Sequence, residues 1–245
     1  MSERIFLAGA SGAIGRRLTP LLFGAGYTVA GTTRSPSKVD MLEALGAEPV
    51  VVDVYDADAL TRMVVAFQPD IVVHQLTDLP PGLDPARMPQ GIIDNARIRE
   101  VGTANLVRAA IAGGARRMVA QSIAWAYAPG PRPYREDAPL DPAMHGVAAL
   151  ERQVLESPPL QGVVLRYGKL YGPGTHAAEP ASDLPVHVDA AAHAALLAVE
   201  TGASGTFNIA EPNAGVDTEA ARTRLGWTPG FRLRAVVADA DAGPA

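Results

Sequence analysis

The chain has 245 residues, enough for one sizeable core or a large domain with a small second lobe, and its 48% hydrophobic and 19% charged content describes an ordinary globule. A net charge of −5, without clustered cations to neutralise phosphates, excludes nucleic acid as an expected partner. No cysteine means no disulfide framework, thiol nucleophile or thiolate metal site, and with neither a basic leader nor an apolar run long enough for a bilayer, no membrane is expected and the cytoplasm is the expected address.

The first expected strand, residues 4–8, runs into Gly9-Ala10-Ser11-Gly12-Ala13-Ile14-Gly15 and a helical pattern over 14–24. A buried strand, a glycine turn and a helix start are what a dinucleotide pyrophosphate needs. Glycine lets backbone N–H groups approach the phosphates, and the positive end of the helix faces their charge. Residues 27–32 read as a second strand, with Thr33 and Arg34 at its end. Further strands are expected at 49–53, 70–75 and 117–122, and helices at 38–45, 57–67 and 90–112. Several of the strands are continuous Val/Ile runs, as in a sheet covered on both faces. This alternation predicts an α/β fold with a doubly wound parallel sheet, a Rossmann fold, and ligand at the carboxyl ends of the strands.

A proline-rich loop at 128–142 leads to a helix at 145–156, a strand at 162–166 and a tight turn at Tyr171-Gly172-Pro173-Gly174. An alanine-rich helix to about residue 200, a strand at 206–210 and a short helix ending near Gly226 follow, and the tail from Ala238 is expected to fray. Residues 1–160 are read as the dinucleotide-binding domain, which also receives 161–168 and 185–202. The stretches 169–184 and 203–245 are read as a small, reduced substrate lobe.

The local motifs follow in a specific order: the glycine turn, Asp53-Val54, Val72-Val73-His74, Gly102-Thr103-Ala104-Asn105-Leu106, Leu165-Arg166-Tyr167 with the Tyr171 to Gly174 turn, Val186 to Asp189, Thr206-Phe207-Asn208-Ile209-Ala210, and Leu225-Gly226-Trp227. In this order, over nearly the whole chain, they resemble the extended short-chain dehydrogenase/reductase superfamily in its NAD-dependent epimerase/dehydratase branch. The resemblance implies that Gly9, Gly12 and Gly15 carry the pyrophosphate, with Ala10, Ser11, Ala13 and Ile14 in the same turn. It also implies that Asp53 and Val54 lie at the adenine and that His74, Gln75, Leu76 and Arg166 line the cofactor. Where NAD-preferring relatives place an acid, this chain has Thr32, Thr33 and Arg34. A guanidinium there favours a ribose 2′-phosphate, with charge-assisted bonds of about 1.5–3 kcal/mol each, so NADP is the expected cofactor and NAD the alternative.

Catalytic positions depart from the family. Redox members carry a tyrosine four residues before a lysine on the helix after the proline-rich loop, where the lysine charge stabilises a tyrosinate. By its surroundings, His145 stands at the tyrosine position and Ala149 at the lysine position. The family's strand-end serine falls on Ile123, one place past Ser122, and Arg99 stands where many relatives have asparagine, with Asn95 one turn away. His145 is therefore the candidate substitute acid/base, with Ser122 or Tyr127 as its hydrogen-bonding partner. His187 and His193 near Asp189 make a poor metal site, so no metal is expected.

The expected function is an NADP-binding oxidoreductase or epimerase-like enzyme acting on a small carbonyl or hydroxyl compound without the Tyr-x-x-x-Lys pair. A non-redox isomerase or lyase, and a catalytically silent NADP-binding sensor or scaffold, are the alternatives. The resemblance also implies a homodimer packed through the helices at 90–112 and 145–156, with Ala104, Ala109, Ala110, Ala148 and Ala149 permitting close approach.

Overall fold

In β1 (Arg4–Ala8), Ile5 and Leu7 alternate with Phe6 and Ala8, and all four are buried, so the strand shows neither face to solvent. Period-two geometry sends the two pairs to opposite sides of the sheet. The computed structural model describes residues 2–181 and 183–233. After β1 come α1 (Ala13–Gly24), β2 (Thr28–Thr33), α2 (Val39–Ala44), β3 (Glu48–Val51), α3 (Ala57–Phe67), β4 (Ile71–His74), α4 (Met88–Arg97), a π-helical turn (Ile98–Gly102) and α5 (Thr103–Ala112). The second half holds β5 (Arg117–Ile123), α6 (His145–Leu155), β6 (Gln161–Tyr167), β7 (Lys169–Tyr171), β8 (Pro185–His187), α7 (Val188–Glu200), β9 (Gly205–Ile209) and α8 (Glu219–Arg224).

Seven strands form one parallel sheet in the order β3-β2-β1-β4-β5-β6-β9, while β7 and β8 pair separately. Register carries the two-sided burial across it: Leu7 lies beside Val73, Val73 beside Val119 and Val119 beside Val163. One core joins these residues to Leu18 and Leu22 of α1 and the alanine face of α7. The other joins Phe6, Val72, Met118 and Val164 to α3, α5 and α6 through Leu60, Val64, Leu106 and Leu150. The strand order reverses between β1 and β4, and there the sheet opens a crevice.

Three expectations are corrected. The strand assigned with 203–245 to the lobe is β9, which pairs with β6 in the main sheet because Phe207 and Ile209 are fully buried against α7. The helix expected over 90–112 is broken by the π turn, where Gly102 packs closely on Val54. Ala109 and Ala110 are fully buried under the sheet and present nothing to a partner. The lobe that remains has its own small core of Ala124, Tyr127, Leu184, Ala210 and Val216. The tail from Ala238 lies outside the described residues.

Candidate active site

At the β1/β4 reversal lies a cavity of about 330 Å³. Its floor is Ala8, Gly9, Ser11 and Gly12, and the end of β4 adds Gln75, Leu76 and Thr77. Gly9 has φ +87°, and a Cβ there would stand 2.6 Å from the Gln75 carbonyl oxygen, so the turn needs glycine for both its backbone angle and its clearance. A Cβ on Gly15 would run into the Gly9 carbonyl, which fixes how closely α1 follows the turn. The Gly9 N–H is already used, donating to Thr32 Oγ1 at 3.1 Å. The start of α1 has no side-chain cap and no acid in its first turn, which leaves its N–H groups to an anion.

The second crossover supplies Thr33, Arg34, Ser35 and Lys38, and the walls are Val52, Val54, Leu60 and Ile98. Arg34 is exposed and holds Asp78 at 3.0 Å; Lys38 has no ion-pair partner among the described residues. On the far wall, both amide atoms of Gln75 are buried without a hydrogen-bond partner. An orphaned amide, a glycine floor and two cations beside the end of β2 fit a phosphate-bearing dinucleotide. Of the residues the sequence puts at the cofactor, Gly9, Ser11, Gly12, Thr33, Arg34, Val54, Gln75 and Leu76 line this cleft.

Other expected cofactor residues have different roles. Ala10 and Ile14 fill the core and Ala13 packs on its edge, while Gly15 serves only close approach. Asp53 is exposed and accepts the Tyr55 N–H at 2.9 Å instead of lining the cavity. His74 is fully buried on the opposite face of β4. Its Nδ1 accepts the Leu76 N–H at 3.2 Å, so its Nε2 carries the proton and donates to Thr103 Oγ1 at 2.9 Å. Burial, and secondarily the charge of Arg99, pushes its pKa down to about 4.

Arg166 is also diverted. It donates to Glu151 through Nε at 2.9 Å and Nη2 at 2.6 Å, and Nη1 reaches the Glu136 carbonyl at 3.1 Å. Burial works to lower its pKa, but the bonds and charge of Glu151 outweigh burial and the net shift is upward. Glu151 Oε1 also accepts from Ser122 Oγ at 2.6 Å.

The three candidate catalytic residues are not brought together. Ser122 is buried on Glu151, because even-numbered residues of β5 face α6. Tyr127 donates to Asn208 Oδ1 at 2.6 Å, stacks on Tyr134 and lies under the Arg166 guanidinium at 4.8 Å. Burial raises its pKa and Arg166 opposes the rise. His145 is exposed at the start of α6, with Nδ1 2.6 Å from Glu100 Oε1. None of the three lines the cavity.

Sequence reasoning missed Ala8, Ser35, Lys38, Val52, Leu60, Thr77 and Ile98. Lys38, four residues beyond Arg34, was the one detectable signal; the apolar walls come from helices whose aim only tertiary packing sets. No group of three metal-ligating side chains occurs among the described residues, and no described helix is long and apolar enough to cross a membrane.

The NAD dependent epimerase/dehydratase family matches this chain over residues 5–207. The chain belongs to that family. The chain is similar to a 3-diazoavenalumate denitrifying reductase of a Streptomyces species, 41% identical in an alignment that covers 85% of this chain and 76% of the relative. Among solved structures, the UDP-glucose 4-epimerase of Thermotoga maritima has a TM-score of 0.74 at 22% identity, covering 94% of each chain. That of Thermus thermophilus, in complex with NAD, scores 0.72 at 22% identity over 92% of this chain and 84% of its own. At that identity the two epimerases share the Rossmann fold of this chain.

Proposed function

We propose that the protein is an NADP-dependent reductase whose acceptor needs no protein acid to complete hydride transfer, in the manner of an aryl diazo compound. The observation that carries this reading is that the three candidate catalytic residues are held away from the cavity: Ser122 by Glu151, Tyr127 by Asn208 and His145 by Glu100. Ala149, at the position where a lysine is expected, offers no charge.

A nicotinamide dinucleotide held by the glycine turn, Gln75 and the Arg34/Lys38 pair would supply a hydride. Reducing a carbonyl leaves an alkoxide that must be protonated, and loss of a positioned acid costs about 10²–10⁴ in rate. An arenediazonium, Ar–N≡N⁺, instead becomes the neutral diazene Ar–N=N–H on receiving hydride at its terminal nitrogen. The diazene loses N₂ and its hydrogen ends on the ring carbon, so neither charge nor mass is left over. The relative named for a diazo acid and for loss of nitrogen supports this choice of acceptor. Arg34 and Lys38, with no acid at the end of β2, support NADP over NAD. We place the enzyme in the cytoplasm as a homodimer, with exposed Ile92 and Ile93 of α4 on the shared face.

The test is anaerobic NADPH oxidation with 4-carboxybenzenediazonium, against enzyme-free controls and a panel of ketones and aldehydes. Enzyme-dependent release of one N₂ per NADPH is the expected result. Reduction of the carbonyl panel at comparable rates, or no enzyme-dependent consumption of the diazonium, overturns the reading.

A further inference from the structure

Arg34 at the end of β2 and Asp78 in the segment that leaves β4 are joined by an ion pair, Nη2 to Oδ1 at 3.0 Å. Because β1 lies between β2 and β4 in the sheet, this bond runs from one bank of the crevice to the other. Arg34 lines the cavity, and so does Thr77, the chain neighbour of Asp78. The guanidinium that stands ready for a ribose 2′-phosphate therefore already has an anion of the protein's own.

The two partners are not equally free. The Asp78 N–H donates to Asn95 Oδ1 at 3.0 Å, and Asn95 is buried in α4. Pro80 packs on Gly91 of the same helix so closely that a Cβ there would stand 2.5 Å from the proline Cδ. The backbone that carries the carboxylate is thus fastened to α4 at two points. The Asp78 side chain is 24% exposed and that of Arg34 53%, so it is the long, solvated guanidinium arm that can swing between two anions. Asp53 and Arg97 stand near this end of the cleft, but Asp53 accepts the Tyr55 N–H at 2.9 Å and Arg97 covers the Tyr55 ring at 4.4 Å.

We propose that Asp78 sets the cofactor preference: its carboxylate competes with the 2′-phosphate for Arg34, so that NADP must draw the guanidinium away while NAD leaves the pair in place. The inference deepens the NADP reading and rests on it. A phosphate carries more charge than a carboxylate and offers three acceptor oxygens, so it wins the guanidinium, at a cost that NAD does not bear. The acid that NAD-preferring relatives bring from the end of β2 enters this cleft from the opposite bank, and it narrows the preference that Arg34 and Lys38 create. Because the pair is exposed and hence weak, the narrowing is a few fold and not orders of magnitude.

The test is fluorescence titration of NADPH and NADH into the unaltered protein, Asp78→Asn, Arg34→Ala and the double variant, at low ionic strength so that screening does not hide the effect. Asparagine keeps the shape of the side chain and the main-chain bond to Asn95 and removes only the charge. Asp78→Asn is expected to bind NADPH about three- to fivefold tighter and NADH within about 1.5-fold of the unaltered protein. In the Arg34→Ala background the same change is expected to gain less than about 1.5-fold, because no guanidinium is left to contest. Unchanged or weaker NADPH binding in Asp78→Asn overturns the competition. So does an equal gain with and without Arg34, which is plain repulsion between carboxylate and phosphate, or an equal gain for NADH. If Arg34→Ala leaves NADPH affinity unchanged, the NADP reading itself falls. A loss in Arg34→Ala with no gain in Asp78→Asn removes the competition alone and leaves that reading standing.

Discussion

Acid should loosen this protein through one imidazole. His74 is fully buried, its ring is neutral, and burial with the nearby Arg99 charge pushes its pKa from 6.5 down to about 4. In the unfolded chain the same ring takes up its proton near pH 6.5, so between that value and about 4 the unfolded state binds more protons than the native one. Stability is therefore full above pH 6.5 and drains as the pH falls through this window. The fall from 6.5 to about 4, at about 1.36 kcal/mol per unit, amounts to roughly 3 kcal/mol. That is a large part of the 5–15 kcal/mol typical of a native domain. Urea unfolding between pH 7.5 and 4, compared for the unaltered protein and His74→Asn, isolates it from the common carboxylate background. Asparagine keeps an acceptor for the Leu76 N–H but cannot take a proton. The variant should start less stable and have a shallower acid slope, converging on the unaltered protein near pH 4. Parallel curves would refute the assignment of the ring as a buried neutral group. NADPH affinity of the folded protein should hold down to about pH 5 and weaken only as the pH approaches about 4, where a protonated Nδ1 releases the Leu76 N–H and Leu76 lines the cleft.

Replacing Arg34 and Lys38 together with alanine should weaken NADPH about tenfold or more and leave NADH nearly unchanged, as read by fluorescence titration; the effect sits low in the charge-assisted range because both are exposed and Arg34 is shared with Asp78. His145→Ala should retain turnover within about twofold, because an exposed pair with Glu100 contributes at most about 1 kcal/mol and the ring is not at the cavity. Glu151→Ala should cost about 3–5 kcal/mol in urea unfolding, because it leaves the Arg166 guanidinium buried without its counter-ion.

The strands were legible because burial on both faces leaves a one-dimensional trace: Ile71-Val72-Val73 and Val163-Val164-Leu165 admit no solvent side. The glycine turn was legible because Gly9, with its positive φ, and Gly15, with no room for a Cβ, answer demands that other residues do not meet. What the sequence hid was direction. Ser122 and Arg166 share a face of adjoining strands, at paired positions, and so both meet Glu151. Nothing local to Glu151 distinguishes it from a solvated helix carboxylate. His74 looked like a cofactor neighbour because the strand ends there, yet one step of the pleat sends it to Thr103 and sends Gln75 to the ligand side. The π turn left no mark either, since it inserts one residue of geometry into an unbroken helical composition. β7 and β8, three residues each, are too short to show a period.

The pairing of α1 with α7 sets a condition on how this molecule can be made. Leu18 and Leu22 are sealed by the alanine face of Val188–Glu200, and Trp227 fastens that helix through an indole N–H to the Ala190 carbonyl at 2.8 Å. A nascent chain emerging from the ribosome carries the glycine turn and its helix long before α7, and their greasy underside stays bare until some 180 further residues have been added. Ribosome-bound fragments that stop short of residue 200 will therefore attract chaperones and aggregate, however intact their nucleotide turn, because a parallel sheet of this order places its earliest strand in the middle and its last at the border.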